Sequence, residues 1–399
     1  MTTVDRPVCP YPFPEAAQLA LSPEYGKFRR SGKLGRLEMP YGGQAWLVTS
    51  LADVKLVLAD PRFSRAAAMD RDVPRTLPML ETEPGILSLD APEHTRLRRT
   101  VARAFTVRSV ESLRPKVQAQ VDALVDRLVE RGPEADLVAD FSLPLAITTI
   151  SELLGVPEED RAQFHEWSDL ATAISGTSIE EIMGAQDALD EFLTELVARR
   201  RREPSDDLLG SLVAARDVED RLSERELVRL GTTLLSAGHE TTANQLSGHV
   251  FTLLEQCAHW DRLVAEPQLV AAAVEELLRL TPLGVVTFCR IAKEDVELGG
   301  VVIKAGEAVV AQIAAANRDE AAFARPDELD FDRTANPHIA FGHGLHHCLG
   351  APLARVELQV GLGTLLRRLP RLRLAVPAEE VVFKSGRLLR GPKALPVTW

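Results

Sequence analysis

One long helix constrains this chain more than any other feature. Ser223-Glu224-Arg225-Glu226 is a capping-box signature, a serine at the N-cap with a glutamate three residues on. The helix it starts is expected to run to about Gln256, roughly 50 Å at 1.5 Å per residue. Such a length crosses a whole molecule, so other elements must be arranged around it. Its middle, Leu234 to Leu246, is apolar on more than one face, which predicts burial. Inside that stretch sits Ala237-Gly238-His239-Glu240-Thr241-Thr242. A mid-helix glycine costs about 1 kcal/mol relative to alanine, and Glu240 puts a carboxylate in largely apolar surroundings. Two readings account for both. One is a kink that gives Glu240 access to solvent. The other is a helix opened beside a ligand, with an acid and an alcohol presented to it.

Composition narrows the setting. With 399 residues and 45% apolar content the chain can bury a large core. No Gly/Ser-rich linker, low-complexity run or internal repeat divides it, so one domain over residues 1–399 is expected. Met1 to Phe13 is polar and proline-rich, without the layout of a signal peptide or an apolar run that could span a bilayer. A soluble, cytoplasmic, monomeric protein without a membrane anchor is the expectation. Cys9, Cys257, Cys289 and Cys348 are far apart and suggest reduced thiols. The net charge of −12 argues against nucleic acid as a partner.

The remaining elements follow from local signals. Lys33 to Thr49 is strand-like, with Tyr41-Gly42-Gly43 as a hairpin turn. Ser50 caps a helix over Leu51 to Ala59. Arg62 to Leu89 is an irregular, apolar-containing loop of the kind that forms lids or binding loops. Asp90 is placed to cap the next helix, on which His94 and Arg98, four apart, share a face. They read either as a surface pair beside Glu93 or as two donors for a carboxylate. Helical periodicity fills 109–131, 141–154, 158–174, 178–203 and 206–215. Gln268 to Leu280 is another helix, carrying Glu276 and Arg279. Val285 to Ile291 and Val296 to Val310 read as strands, so β-rich parts are expected over about 33–60 and 285–310. Arg290 lies among apolar strand residues and calls for a buried or cofactor-borne anion. Val381 to Trp399 reads as a final hairpin.

A glycine-rich loop, Phe341-Gly342-His343-Gly344-Leu345-His346-His347-Cys348-Leu349-Gly350, then delivers one cysteine to the start of a helix over Leu349 to Arg368. A helix N-terminus favours thiolate, the metal-binding form. The glycines let the backbone pass close to something flat and bulky. Three readings compete: a buried structural cysteine, a zinc site using His343, His346, His347 and Cys348, and a haem held by one axial thiolate.

The loop resembles the haem-binding pattern Phe-x-x-Gly-x-x-x-Cys-x-Gly of the cytochrome P450 family, at Phe341, Gly344, Cys348 and Gly350. The resemblance continues in order through His94-x-x-x-Arg98, Ala237-Gly238-x-Glu240-Thr241-Thr242, Glu276-x-x-Arg279, Arg290 and Asn317-Arg318-Asp319. It implies a mainly α fold with small β-sheets, a triangular prism with a long central helix over the haem. It implies haem b with Cys348 as axial ligand, and His94, Arg98, Arg290 and His346 on the propionates. Ala237 and Gly238 would lie against the cofactor, and Glu276 with Arg279 would support the meander before the cysteine loop. One departure is visible: Pro326-Asp327-Glu328-Leu329 lacks the meander arginine, a place that Arg333 is available to fill.

By resemblance, the reaction is reductive activation of O2 and insertion of oxygen into a substrate. Thr241 and Glu240 would handle the protons, the glutamate as a general acid acting through water. Ferredoxin and its reductase would supply electrons, with Arg96, Arg99, Arg103 and Arg355 as a basic docking face. The Met69–Leu89 loop including Leu87, with Leu234, Leu235, Val285, Val286, Phe288 and Leu389, is expected to line a pocket for a bulky apolar molecule. Arg71, Arg75 and Arg390 are candidates for its polar substituents. The sequence is similar to actinobacterial members that tailor polyketide or macrolide products, by hydroxylation or epoxidation. Oxidative coupling of phenols and a haem-based sensor are the alternatives.

Overall fold

A computed structural model of the chain describes residues 8–13, 18–80, 82–173, 175–219, 221–284 and 288–399. It divides into two compact units, residues 1–95 with 278–348 and residues 96–277 with 349–399.

The first unit holds the larger sheet. Its strands lie in the order Val8–Pro10, Gly35–Glu38, Gln44–Val48, Ala308–Ala311, Arg290–Ala292 and Phe63–Ser64. The hairpin at 35–48 forms as the sequence predicts, with Leu37 opposite Ala45. Gly42 at its turn has φ 74°, and a Cβ there would lie 2.0 Å from the Val73 carbonyl oxygen, so only glycine fits. Side chains alternate along the strand: Ala45 and Leu47 join one core cluster, Trp46 and Val48 the other. Both faces are covered, which is why Ala308–Ala311 is buried throughout and reads as unbroken apolar sequence. The Leu51–Ala59 helix packs into the Val48 face, with the Ser50 hydroxyl accepting from the Asp53 N–H at 3.1 Å.

Several elements differ from expectation. The strand expected over 285–291 is Arg290–Ala292, and residues 285–287 lie outside the described ones. The stretch 296–310 is broken into Val296–Leu298, Val301–Ile303 and Ala308–Ala311 by turns at Gly299-Gly300 and Gly306. A helix over Pro23–Ser31 carries too few apolar residues to announce itself. Buried Tyr25 and a pair between Arg29 and Glu320 at 2.7 Å hold it. Asp90 does not cap the next helix through its side chain. Its carboxylate accepts from the Ser64 hydroxyl and from the Arg65 backbone N–H at 3.0 Å.

The second unit is helical, chiefly Arg114–Arg131, Leu143–Leu154, Ile179–Arg202, Leu208–Asp217, Glu224–Glu255 and Ala351–Arg368. A small sheet of Arg373–Leu374, Pro396–Thr398 and Glu134–Asp136 accompanies them. The expected terminal hairpin survives as one bridge, Phe383 to Pro392, with Pro396–Thr398 pairing elsewhere. Helix Cys257–Ala265 was not expected from the sequence; it follows the central helix after a single residue, Gln256. The central helix, Glu224–Glu255, has its capping box in place and is unbroken. Small residues set its packing. A Cβ on Gly361 would come within 3.2 Å of Leu246. Among the described residues no helix is long and apolar enough to cross a membrane.

Candidate active site

The cysteine loop is built by short backbone bonds. The Gly342 N–H donates to the Ile339 carbonyl at 2.8 Å, and the His347 N–H to the Gly344 carbonyl at 3.0 Å. The Cys348 N–H closes the loop on the Phe341 carbonyl at 2.8 Å. Gly344 has φ 72°, and a Cβ there would sit 2.6 Å from the Leu58 carbonyl oxygen, so this glycine seats the loop on the end of the Leu51–Ala59 helix. The meander fastens the other side. The Asn317 side-chain oxygen accepts from the Ile339 N–H at 2.8 Å, and Asp319 accepts from the Leu51 N–H at 2.7 Å. The Cys348 side chain is exposed and Ala351 opens the following helix. The buried structural cysteine is thereby overturned. Among the described residues no group of three or more His, Cys, Asp or Glu side chains could hold a metal ion, so the zinc reading has no ligand set.

Cationic and imidazole groups converge in the same unit. Arg290 is buried and donates to the Phe63 carbonyl at 3.2 Å. Burial, then repulsion from Arg65, lowers its guanidinium to about 10, while Asp90 works in the opposite direction. Arg65, only 5% exposed, is a second buried guanidinium here. The rings of His94 and His346 lie 4.4 Å apart. Burial, then the neighbouring His94, Arg290 and Arg65, pushes His346 down to about 3, so it is neutral. Its Nε2 is buried with no hydrogen-bond partner. Buried polar atoms are rarely left so. A buried guanidinium bonded only to a carbonyl, plus an orphaned imidazole nitrogen, fits an incoming carboxylate. Arg98 lies one turn beyond His94 on the Glu93–Ala102 helix and is half-buried.

The acid and the alcohol lie on the central helix of the second unit. Ala237 is exposed, and the Thr241 hydroxyl donates to the Ala237 carbonyl at 2.6 Å. Glu240 points elsewhere. Its side chain is 2% exposed and pairs with the Lys384 ammonium at 3.0 Å. The Thr172 hydroxyl donates to its other oxygen at 3.4 Å. Two findings correct the sequence reading. Gly238 does not open the helix, because a Cβ there would meet Ile150 at 2.5 Å; it permits close packing on Leu143–Leu154. Leu235 is fully buried on the face of His239, which Leu235 engages through its carbonyl at 3.3 Å, and it lines nothing. Beyond it the His239 Nε2 lies 3.3 Å from the His165 Nδ1.

Residues 32–393 match the family description Cytochrome P450. The chain belongs to the cytochrome P450 family. It is 51% identical to nocardicin C N-oxygenase of Nocardia uniformis subsp. tsuyamanensis, over 98% of each chain. It is 48% identical to mycinamicin IV hydroxylase/epoxidase of Micromonospora griseorubida, again over 98% of each. Among solved structures, HinD with NMFT and NO is 49% identical, with TM-score 0.96 over 98% of this chain and 100% of that one. A cytochrome P450 with biaryl coupling reactivity is 44% identical, with TM-score 0.94 over 98% and 100%.

This cytochrome P450 is therefore a monooxygenase that uses haem b and O2. The residues present fit that group: an exposed thiol, an unpartnered His346 nitrogen, and a buried Arg290 guanidinium that donates to a carbonyl. The meander is fixed without its missing arginine. Arg279, 2% exposed, donates to the carbonyls of Asn317 at 2.9 Å, Pro326 at 2.5 Å and Glu328 at 3.0 Å. Arg333 donates to the Ala324 carbonyl at 2.7 Å, and both guanidiniums lie over the Phe323 ring.

The other expected residues separate into groups. Leu87 and Phe288 are 50% and 43% exposed, so each has apolar surface to offer a ligand. Met69 and Leu389 are half-buried, and Leu234 is nearly buried. Val285 and Val286 lie outside the described residues. Arg75 is occupied by Asp72 at 2.5 Å and by the Val73 carbonyl. In the basic face, Arg96 pairs with Glu226 and Arg355 is bidentate on Glu275 at 2.7 and 2.8 Å. Only Arg99 and Arg103 make no ion pair among the described residues. Lys384, Thr172 and Arg65 escaped the sequence reading. Arg65 carried the same signal as Arg290, an arginine inside apolar sequence; Lys384 carried none.

Proposed function

We propose that this cytochrome P450 hydroxylates or epoxidises a bulky apolar natural product of the polyketide or macrolide kind, as one functional domain. The apolar surface held out by Leu87 and Phe288 carries the reading. Cys348 would supply the thiolate that holds the haem iron, and His94, Arg98, Arg290 and His346 would hold the propionates. When bound, the haem supplies the activation of O2. The chain's own task is to orient substrate, exclude water and move protons. Thr241 keeps its hydroxyl on the Ala237 carbonyl until an oxygen atom offers a better acceptor. Glu240 passes protons inward through water once Lys384 swings away from it.

Electrons come from a ferredoxin and its reductase, docked on Arg99 and Arg103 rather than on the wider face, and the protein works as a cytoplasmic monomer. A salt titration of ferredoxin-driven turnover tests the docking, with no salt dependence the adverse result. Substrate class is tested by Soret-shift titration of macrolides, phenols and modified peptides. Macrolide binding with hydroxylated or epoxidised product supports the reading; coupled phenolic product overturns it. Thr241→Ala should consume reductant while releasing peroxide, and unchanged coupling would refute the role of the hydroxyl.

A further inference from the structure

Arg65 is a buried cation that no step above employs. Its backbone N–H is held by Asp90 at 3.0 Å, so its Cα is fixed. From there the guanidinium reaches in two directions. Nε donates to the Leu87 carbonyl at 3.2 Å, and Nη1 donates to the Cys289 carbonyl at 2.7 Å. The same group lies over the Phe288 ring, 4.8 Å from its centroid. Leu87 lies near the end of the long irregular loop and Phe288 leads into the Arg290–Ala292 strand, more than two hundred positions later in the chain, as the separation of 224 between Arg65 and Cys289 records.

We propose that Arg65 is a specificity-determining positioning residue, a clasp that fixes the separation of Leu87 and Phe288 and so sets the size of the apolar edge offered to substrate. The proposal rests on the reading above that these two side chains face the ligand. Both present large apolar surface, 50% and 43% exposed, immediately beside the carbonyls or ring that Arg65 holds. A planar fork with donors on several edges can bond two carbonyls and cover a ring at once, which a lysine ammonium on a flexible stem does not reproduce. A ligand broad enough to touch both side chains depends on the clasp; a small one does not.

The holoenzyme tests this with two azoles that both shift the Soret band: imidazole, which is small, and N-tritylimidazole, which carries three phenyl rings. In Arg65→Lys and Arg65→Gln, N-tritylimidazole should bind about tenfold more weakly, the effect of about one lost charge-assisted hydrogen bond. Imidazole should bind within about twofold of the parent, since it does not reach the edge, and haem content should be unchanged. Parallel loss for both azoles, or loss of haem in both variants, assigns Arg65 to the cofactor or to folding and overturns the clasp. Leu87→Ala and Phe288→Ala separate the two ideas. If neither weakens N-tritylimidazole, the pocket reading falls and the clasp with it. If they weaken it and Arg65→Lys does not, the clasp alone falls.

Discussion

Two regions of this protein bury ionisable groups, and they treat charge in opposite ways. In the first unit, burial and then the neighbouring Arg65 depress the Arg290 guanidinium, while Asp90 opposes them. His346 keeps a nitrogen without a partner. In the second unit, Glu240 is answered by Lys384 at 3.0 Å and by Thr172, and His165 and His239 face each other as neutral rings. In the first region the buried Arg290 donates to a carbonyl and one His346 nitrogen has no hydrogen-bond partner. The second is satisfied within itself. An imbalance of buried charge marks a place for a ligand, whereas a balanced buried pair marks a position to be held.

The comparison can be broken most severely at the cysteine. Cys348→Ser should abolish monooxygenation and the thiolate signature of the reduced CO spectrum, because no other exposed thiol lies in that loop. Next in size is Lys384→Ala. Removing one member of a buried pair leaves Glu240 uncompensated and should cost about 3 kcal/mol, read as a lowered urea midpoint. The double variant Lys384→Met with Glu240→Gln should recover most of it. Arg290→Ala should behave in the contrary way. Haem should dissociate about tenfold to a hundredfold faster, for the loss of one charge-assisted bond of about 1.5–3 kcal/mol, while the apoprotein melts no lower because a repulsion has been removed.

The smallest effect is the pH dependence that His249 contributes in the second unit. Burial holds His249 down at about 3, against a mild opposing influence from Glu275. A folded pKa below the unfolded one means the contribution is complete above about 6.5 and is lost as pH falls. Between pH 7 and pH 5 the unfolded histidine gains a proton that the folded one refuses, a loss of about 2 kcal/mol. His249→Leu should flatten the decline by that amount in paired urea titrations at the two pH values. An unchanged slope would show that His249 reaches solvent in the folded protein.

Local chemistry was legible wherever one residue type decides the outcome. The Ser50 and Ser223 caps and the Gly42 turn stand where the sequence put them, because each depends on neighbours only a few positions away. The cysteine loop was legible for the same reason. Gly238 was misread because its partner, Ile150, lies on another helix, and a glycine looks the same whether it admits a ligand or a neighbour. Leu235 was misread because a helix apolar all round does not say which face turns to the core. Lys384 could not be found at all. Nothing near it in sequence distinguishes it from a surface lysine, and its carboxylate is 144 positions away.

That separation has a consequence for synthesis. Chains emerge from the ribosome N-terminus first, and segments begin to fold as they appear. The first unit is complete in sequence once Cys348 has been made, so its cationic cluster and cysteine loop can assemble while the chain is still growing. Glu240 has by then been waiting, and it waits longer still, because the lysine that neutralises it arrives only after the helix Ala351–Arg368 and the turns beyond it. In order of synthesis the cysteine loop therefore precedes the lysine that neutralises the acid on the central helix.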